Sequence, residues 1–430
     1  LNPATETVIG QVAEADAGDI DVAVRSARAA FEGEWGRMRA ADRGLALLRL
    51  ADLVHRHLDE LAALESADSG KPVSAVHRQD LPAVIDTLRY YAGWADRIDG
   101  QVIPARPDAL TYTLREPLGV VAAIVPWNFP LMIAVWKLAP ALACGCTVVL
   151  KPAELTPLSA LRLGELALEA GFPPGVLNVV PGFGQTAGAA LAAHPDVDMV
   201  SFTGSPETGR RILQGAAGNF KRVALELGGK SANIIFPDAD LDAAARAAGS
   251  GIFFNAGQVC SAGSRILVHA DIHDEMVERL VGRAESVRLG DPGEPATSMG
   301  PLVSETQLQR VLGYVDIGRN EGARVATGGV RADRPGYYVT PTVFTGVAPD
   351  MRIAQEEIFG PVACVIPFRD DDDALRIANG TAYSLAAGVW SADITRVHRF
   401  TRRLRAGTVW ANTYGPTDIR LPWGGSRDSG

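Results

Sequence analysis

The sequence predicts an α/β protein with two doubly wound, largely parallel sheets, and three observations predict it. Short apolar runs alternate with helical segments along most of the chain. At 430 residues the chain is too long for one small core and is sized for two or three domains. A hydrophobic fraction of 47% with 21% charged residues is that of an ordinary globular protein and leaves no disordered segment.

From Asp19 to about Asp68 the pattern is helical, with Leu45, Leu47, Leu48, Leu50, Leu53 and Val54 against a charged face. Gly70-Lys71-Pro72 supplies the stop. A second helical stretch runs through Val84, Leu88, Tyr91 and Trp94. Ile103-Pro104 and the alternating run Thr111 to Arg115 then suggest an exposed, half-buried strand. Beyond Gly119 come the apolar runs Val120 to Val125, Thr147 to Leu150, Val176 to Val180, Met199 to Phe202 and Val223 to Leu225. Runs of this kind separated by helices predict parallel strands covered on both faces. The alternation resumes with Asn233 to Phe236, Ser264 to Val268, Val362 to Pro367 and Gly407 to Trp410, so a second α/β unit is expected after residue 228. The acidic cluster Asp370 to Asp373 reads as a solvated helix start.

Composition excludes several classes of function. A net charge of -9 with both signs scattered gives no basic surface for a nucleic-acid backbone. No apolar stretch approaches the roughly 20 residues of a membrane span. Leu1 to Thr5 carry neither a basic nor an apolar leader, so no secretory signal is expected. Four cysteines form neither a disulfide framework nor a zinc-site spacing, which fits a reducing, cytoplasmic setting without metal.

Several residues have the chemistry of a site, and each also has a structural explanation. Cys260, in Gly257-Gln258-Val259-Cys260-Ser261, is a nucleophile candidate beside a tight turn, although an inert buried thiol is the commoner role of a single cysteine. Cys144, Cys146 and Cys364 are expected to be such inert core thiols. Glu226, between apolar residues at a strand end, is suited to proton transfer if burial raises its pKa. Asn128, between Pro126 and Pro130, would present an NH2 donor at the carboxyl edge of a strand, as an oxyanion hole requires, or would cap a turn. Phe202-Thr203-Gly204-Ser205 opens a helix, where backbone N–H groups and the Ser205 hydroxyl could meet a pyrophosphate. Neither this segment nor Gly182 to Gly188 has the GxGxxG spacing. Glu154, after Lys151-Pro152-Ala153, could accept a bond from a ribose 2′-hydroxyl and would repel a 2′-phosphate, which favours NAD over NADP. Glu357 and Phe359 could hold a nicotinamide ribose and ring, or form a helix end.

The order and wording of these segments are more specific than any one of them. Pro126-Trp127-Asn128-Phe129-Pro130, Lys151-Pro152-Ala153-Glu154, Phe202-Thr203-Gly204-Ser205, Leu225-Glu226-Leu227-Gly228-Gly229-Lys230-Ser231, Gly257-Gln258-Val259-Cys260 and Glu356-Glu357-Ile358-Phe359-Gly360-Pro361-Val362 together closely resemble the aldehyde dehydrogenase superfamily. The resemblance spans nearly the whole chain. It implies the hydrolytic, non-acylating branch, because the acylating branch usually lacks the glutamate matched by Glu226.

That resemblance implies Cys260 as nucleophile, Glu226 as general base and Asn128 with the Cys260 backbone N–H as oxyanion hole. It implies NAD contacts from Val125, Trp127, Lys151, Glu154, Gly184, Gly204, Ser205, Leu227, Glu357 and Phe359, with Lys137 nearby. Phe129, Trp136, Val259, Ser261, Tyr414 and Trp423 match substrate-channel positions, whose aromatic character suits an apolar or aromatic aldehyde. The implied architecture is two Rossmann-like domains: an NAD-binding domain over 1–97 and 118–228 and a catalytic domain over 229–430. Residues 98–117 would form an oligomerisation strand region of a homodimer or homotetramer, its partner strand expected beyond residue 430 because the family pattern runs on. Alternatives are a semialdehyde-specific or CoA-acylating enzyme of the same fold, the former with Arg420 as carboxylate partner, or a non-catalytic scaffold.

Overall fold

A computed structural model describes residues 1–430. Three sheets organise it. The first is a small antiparallel ribbon of β1 (Val102–Arg106) and β2 (Ala109–Tyr112). The second has five parallel strands, β3 (Val120–Ile124), β4 (Thr147–Lys151), β5 (Leu177–Val179), β6 (Met199–Thr203) and β7 (Arg222–Glu226), in the order β5-β4-β3-β6-β7. The third holds β8 (Ala232–Ile235), β9 (Arg265–His269), β10 (Arg324–Thr327), β11 (Thr342–Thr345), β12 (Val362–Phe368), β13 (Ala386–Trp390) and β14 (Thr408–Ala411). Its order is β10-β11-β12-β9-β8-β13-β14, parallel except for the antiparallel edge pair β10–β11.

The five-stranded sheet is built as its sequence requires. Every residue of β3 and β4 is buried, so these central strands are apolar on both faces, and each large side chain they hide contributes roughly 1.5–3 kcal/mol. β3 runs first, β4 and β5 extend the sheet on one side, and β6 and β7 extend it on the other. The order therefore reverses beside β3, and the crevice at the carboxyl ends of β3, β4 and β6 is where an open α/β sheet receives a ligand.

Some expectations needed correction. The helical pattern from Asp19 to Asp68 is four helices, Ala17–Glu32, Glu34–Arg37, Ala40–Arg56 and Leu58–Ser69. Breaks fall at Gly33, at Met38 and Arg39, and at His57, where the backbone leaves the helical region and periodicity gives no warning. Gly70 ends the last of these helices in a left-handed cap, φ 76°, as a terminal glycine should. The strand expected near Thr111 to Arg115 is Ala109–Tyr112, and both its faces are largely open to solvent. Cys144 is an exposed residue at the end of the helix Pro130–Ala143, whereas Cys146 and Cys364 are buried as expected. Asp370 caps the helix Asp371–Ala378 by accepting from the Asp373 N–H, the acidic helix start that the sequence suggested.

The N-terminal segment crosses between the larger sheets. Pro3 accepts from the Tyr337 N–H at 3.0 Å on the seven-stranded side, and the Ala15 N–H donates to Pro181 at 2.9 Å on the other.

Candidate active site

Cys260 follows a strained turn. After the helix Leu241–Phe253, Asn255, Ala256 and Gly257 all take left-handed conformations, φ 50°, 53° and 71°. Two of the three carry a Cβ, a cost of order 1 kcal/mol each that the surroundings must offset. Gly257 allows the approach of Gly360, whose carbonyl oxygen lies 2.0 Å from where a Cβ would stand. Gln258 is locked in place: its Oε1 accepts from the Val303 N–H at 3.0 Å and its Nε2 donates to the Asn255 carbonyl at 3.1 Å. This turn carries Cys260, part-exposed, into the wall of a cavity of about 840 Å³.

Asn128 reaches the same turn from the other sheet. It sits just past β3, is 4% exposed, and its Nδ2 donates to the Gln258 carbonyl at 2.9 Å. A carboxamide nitrogen has two hydrogens, so one N–H remains to be offered beside Cys260. Asn255 closes the link by donating to the Asn128 carbonyl at 2.9 Å.

Glu226 is the last residue of β7, part-buried, and burial raises its pKa against the opposing pull of Lys137. Lys137 is itself pushed down to about 8 by burial, and its Nζ donates to Ser201 Oγ at 3.1 Å. Burial pushes the Cys260 thiol up to about 12, with the Glu357 and Glu226 carboxylates adding to the rise. The sulfur is thus protonated near neutral pH and needs a base.

The cofactor candidates gather at the carboxyl edge of the five-stranded sheet. Val125 extends β3 and its N–H donates to the Lys151 carbonyl at 3.2 Å. Lys151 ends β4, is 3% exposed, and holds its Nζ 3.4 Å from the Glu154 carboxylate, which is exposed to an incoming ribose. Gly184 has open space where a Cβ would stand. Gly204 and Ser205 lie between β6 and the helix Pro206–Ala216. The Ser205 hydroxyl accepts from the Thr208 N–H at 3.2 Å, so it caps this helix as well as facing the crevice edge. Leu227 is buried and packs its methyls against Gly209. Glu357 accepts from the Gly229 N–H at 3.0 Å, close enough to Gly228 that any side chain there would collide with it, and burial raises its pKa to about 7. Phe359 meets Trp127 edge-on, ring centroids 5.2 Å apart, so the two aromatics bridge the sheets. The reversed strand order, the open Gly184 and the paired Lys151 and Glu154 fit a dinucleotide.

The cavity beside Cys260 is lined by Phe129, Trp136, Val259, Ser261, Tyr414 and Trp423, all the channel positions named from sequence. Trp423 stands 6.4 Å from both Trp136 and Trp410, and Tyr414 donates its hydroxyl to the Ser261 carbonyl at 2.8 Å. Arg420, the expected carboxylate partner, is instead doubly hydrogen-bonded to Asp418 at 2.8 and 2.5 Å and lies outside the lining.

Comparison with known proteins bears on this arrangement. The profile of the Aldehyde dehydrogenase family matches residues 1–430. The chain belongs to the aldehyde dehydrogenase family. An aldehyde dehydrogenase of Emericella nidulans is 52% identical over 431 residues, covering all of this chain and 86% of that protein. The human mitochondrial aldehyde dehydrogenase is 52% identical over 435 residues, covering all of this chain and 84% of that protein. The solved NAD+ complex of an aldehyde dehydrogenase from Bacillus cereus superposes with a TM-score of 0.98 at 52% identity, covering 100% of this chain and 87% of that one.

One group of residues in this family member went unread in the sequence. Lys71, 1% exposed, pairs with Asp80 and places its ammonium 3.7 Å from the centre of the Phe129 ring. Glu65, also buried, accepts from the Leu131 N–H at 3.1 Å and Ser159 Oγ at 2.9 Å. The loop carrying Asn128 is therefore pinned from beneath. Lys71 read only as part of a stop signal; the available clue was a run of polar residues with no exposed helical face to occupy.

Proposed function

We propose that the chain oxidises an aldehyde to its carboxylic acid with NAD, through a covalent adduct on Cys260. The observation that carries this reading is the Asn128 to Gln258 hydrogen bond, which holds an amide donor from one sheet against the cysteine turn of the other. The NAD+ complex of the Bacillus cereus relative supports the choice of cofactor.

In this reading Glu226 takes the Cys260 proton and the sulfur attacks the aldehyde carbon. The oxygen becomes an oxyanion held by the free Asn128 N–H and the Cys260 backbone N–H. When bound, NAD would supply the acceptor for the hydride that leaves the carbon as the carbonyl re-forms. Glu226 passes that first proton to solvent and, again a carboxylate, deprotonates the water that cleaves the thioester; the departing sulfur is reprotonated to the thiol and the acid is released. Lys151, Glu154, Ser205, Gly204, Gly184, Val125 and Leu227 would hold the adenosine and pyrophosphate half, and Glu357, Phe359 and Trp127 the nicotinamide half. The Glu154 carboxylate disfavours the 2′-phosphate of NADP. The aromatic cavity wall suits an apolar or aromatic aldehyde body.

The domain division at 228, with the strand region 98–117 set apart, is part of the same proposal. The open ribbon β1–β2, with Val102 and Leu110 more than 70% exposed, supports pairing of copies as a homodimer or homotetramer. No helix is long and apolar enough to cross a membrane. Four free cysteines support a cytoplasmic setting. The test is NADH formation with a panel of aldehydes and with NAD and NADP side by side. NAD-dependent oxidation is expected, and its absence with every aldehyde would overturn the reading.

A further inference from the structure

The cavity beside Cys260 extends along one face of the helix Leu241–Phe253, since Phe253, Gly249, Ser250 and Arg246 all line it. Arg246 lies seven residues before Phe253, which places it roughly 10 Å from the cysteine end at the helical rise per residue. Arg283, in the last turn of the neighbouring helix His273–Glu285, lays its stem across Gly249; its Cβ and Cγ lie 3.1 and 3.5 Å from where a Gly249 Cβ would stand. A side chain at Gly249 would displace Arg283 from this wall.

Neither arginine makes a salt bridge, and neither guanidinium takes part in a hydrogen bond within the chain. Their neighbour Arg279, one turn before Arg283, is by contrast bound to both Asp242 and Glu275. Asp80 is the sole acidic residue of the lining, and the buried Lys71 neutralises it. The uncompensated charge of the cavity is therefore positive and lies along this helix wall, about one to two turns before Phe253, in a cavity whose other walls are largely aromatic.

We propose that the substrate is an aldehyde with an anionic tail, a carboxylate being the simplest, joined by an apolar or aromatic spacer, and that Arg283 and Arg246 determine this specificity. A planar guanidinium binds a carboxylate through two parallel N–H bonds, which a neutral tail cannot satisfy. This inference rests on the proposed dehydrogenase reaction but concerns only which aldehydes it accepts.

The test compares 4-formylbenzoate and the longer 4′-formylbiphenyl-4-carboxylate with their methyl esters, using the NAD-saturated protein. The expected result is a kcat/KM at least about tenfold higher for one acid than for its ester. That ratio should fall in Arg283→Gln and Arg246→Gln, invert in Arg283→Glu, and shrink with added salt. Equal kcat/KM for acid and ester in the wild type, or a preference that survives both glutamine variants, would overturn it. If no aldehyde reduces NAD, the dehydrogenase reading fails separately. The specificity is then decided by calorimetry: biphenyl-4,4′-dicarboxylate should bind more tightly than its monomethyl ester to the wild type and not to Arg283→Gln, and equal binding of the two to the wild type would refute it.

Discussion

Asn128 and Gln258 are joined by a 2.9 Å hydrogen bond that crosses from the carboxyl edge of the five-stranded sheet to the turn two residues ahead of Cys260. The segments carrying Asn128 and Cys260 thus share one connection although 132 positions of sequence separate the two residues. Asn255 donates to the same Gln258 carbonyl at 3.2 Å, so that oxygen stays satisfied if Asn128 is shortened.

Asn128→Ala is accordingly expected to separate activity from stability. Loss of one oxyanion donor should lower kcat by about 10²- to 10³-fold. Unfolding free energy should change by only about 1 kcal/mol. Steady-state kinetics beside a denaturant titration checks both, and a variant with normal kcat would remove Asn128 from the oxyanion hole.

Cofactor affinity should depend on pH through Glu357. Burial raises this carboxyl to about 7, so below that pH it is neutral and accepts ribose hydroxyls poorly. The Kd for NAD is expected to fall as pH rises through about 7 and to lose this dependence in Glu357→Gln. The stability linkage runs the other way: the folded protein binds more protons at this group than the unfolded chain between 4.5 and about 7, so Glu357 lowers stability as pH rises across that window. Fluorescence titration of NAD at several pH values tests the first statement, and an affinity flat with pH would contradict it.

Removing the ammonium of Lys71 should destabilise the fold. Lys71→Met leaves Asp80 buried without its partner, beside the buried Glu65, a loss of about 3–5 kcal/mol. The double variant Lys71→Met, Asp80→Leu removes both charges and should recover most of that stability. Denaturant midpoints of the two proteins decide the matter; a single variant as stable as wild type would show that the pair contributes nothing.

Where the chain followed simple patterns, the fold was legible in it. β3 and β4 are continuous apolar runs bounded by Gly and Pro, and they lie at the centre of their sheet. β13, Ala386–Trp390, carries no such signal, because two alanines and Gly388 have little intrinsic preference for a strand. Gly388 is required there by packing: a Cβ would stand 2.6 Å from the Tyr414 ring, a contact made by residues distant in sequence. The edge strand β10 and its neighbour β11 were also missed, β10 being short and half-exposed. Cys260, Glu226 and Asn128 were singled out by the order of their motifs and not by local pattern, and the fold brings Asn128 to the turn that carries Cys260. Arg246 and Arg283 were not, since an arginine in an amphipathic helix reads as solvated until a cavity is found beside it.

The central claim is that the Cys260 sulfur carries the acyl group between oxidation and hydrolysis. Glu226→Gln is expected to slow the hydrolytic step, so this variant mixed with NAD and an accepted aldehyde, quenched in acid and analysed by mass spectrometry, should hold one acyl group on the peptide containing Cys260. Cys260→Ala should yield neither adduct nor NADH. Continued NADH formation by Cys260→Ala, or an acyl group found on any other residue, would contradict the account.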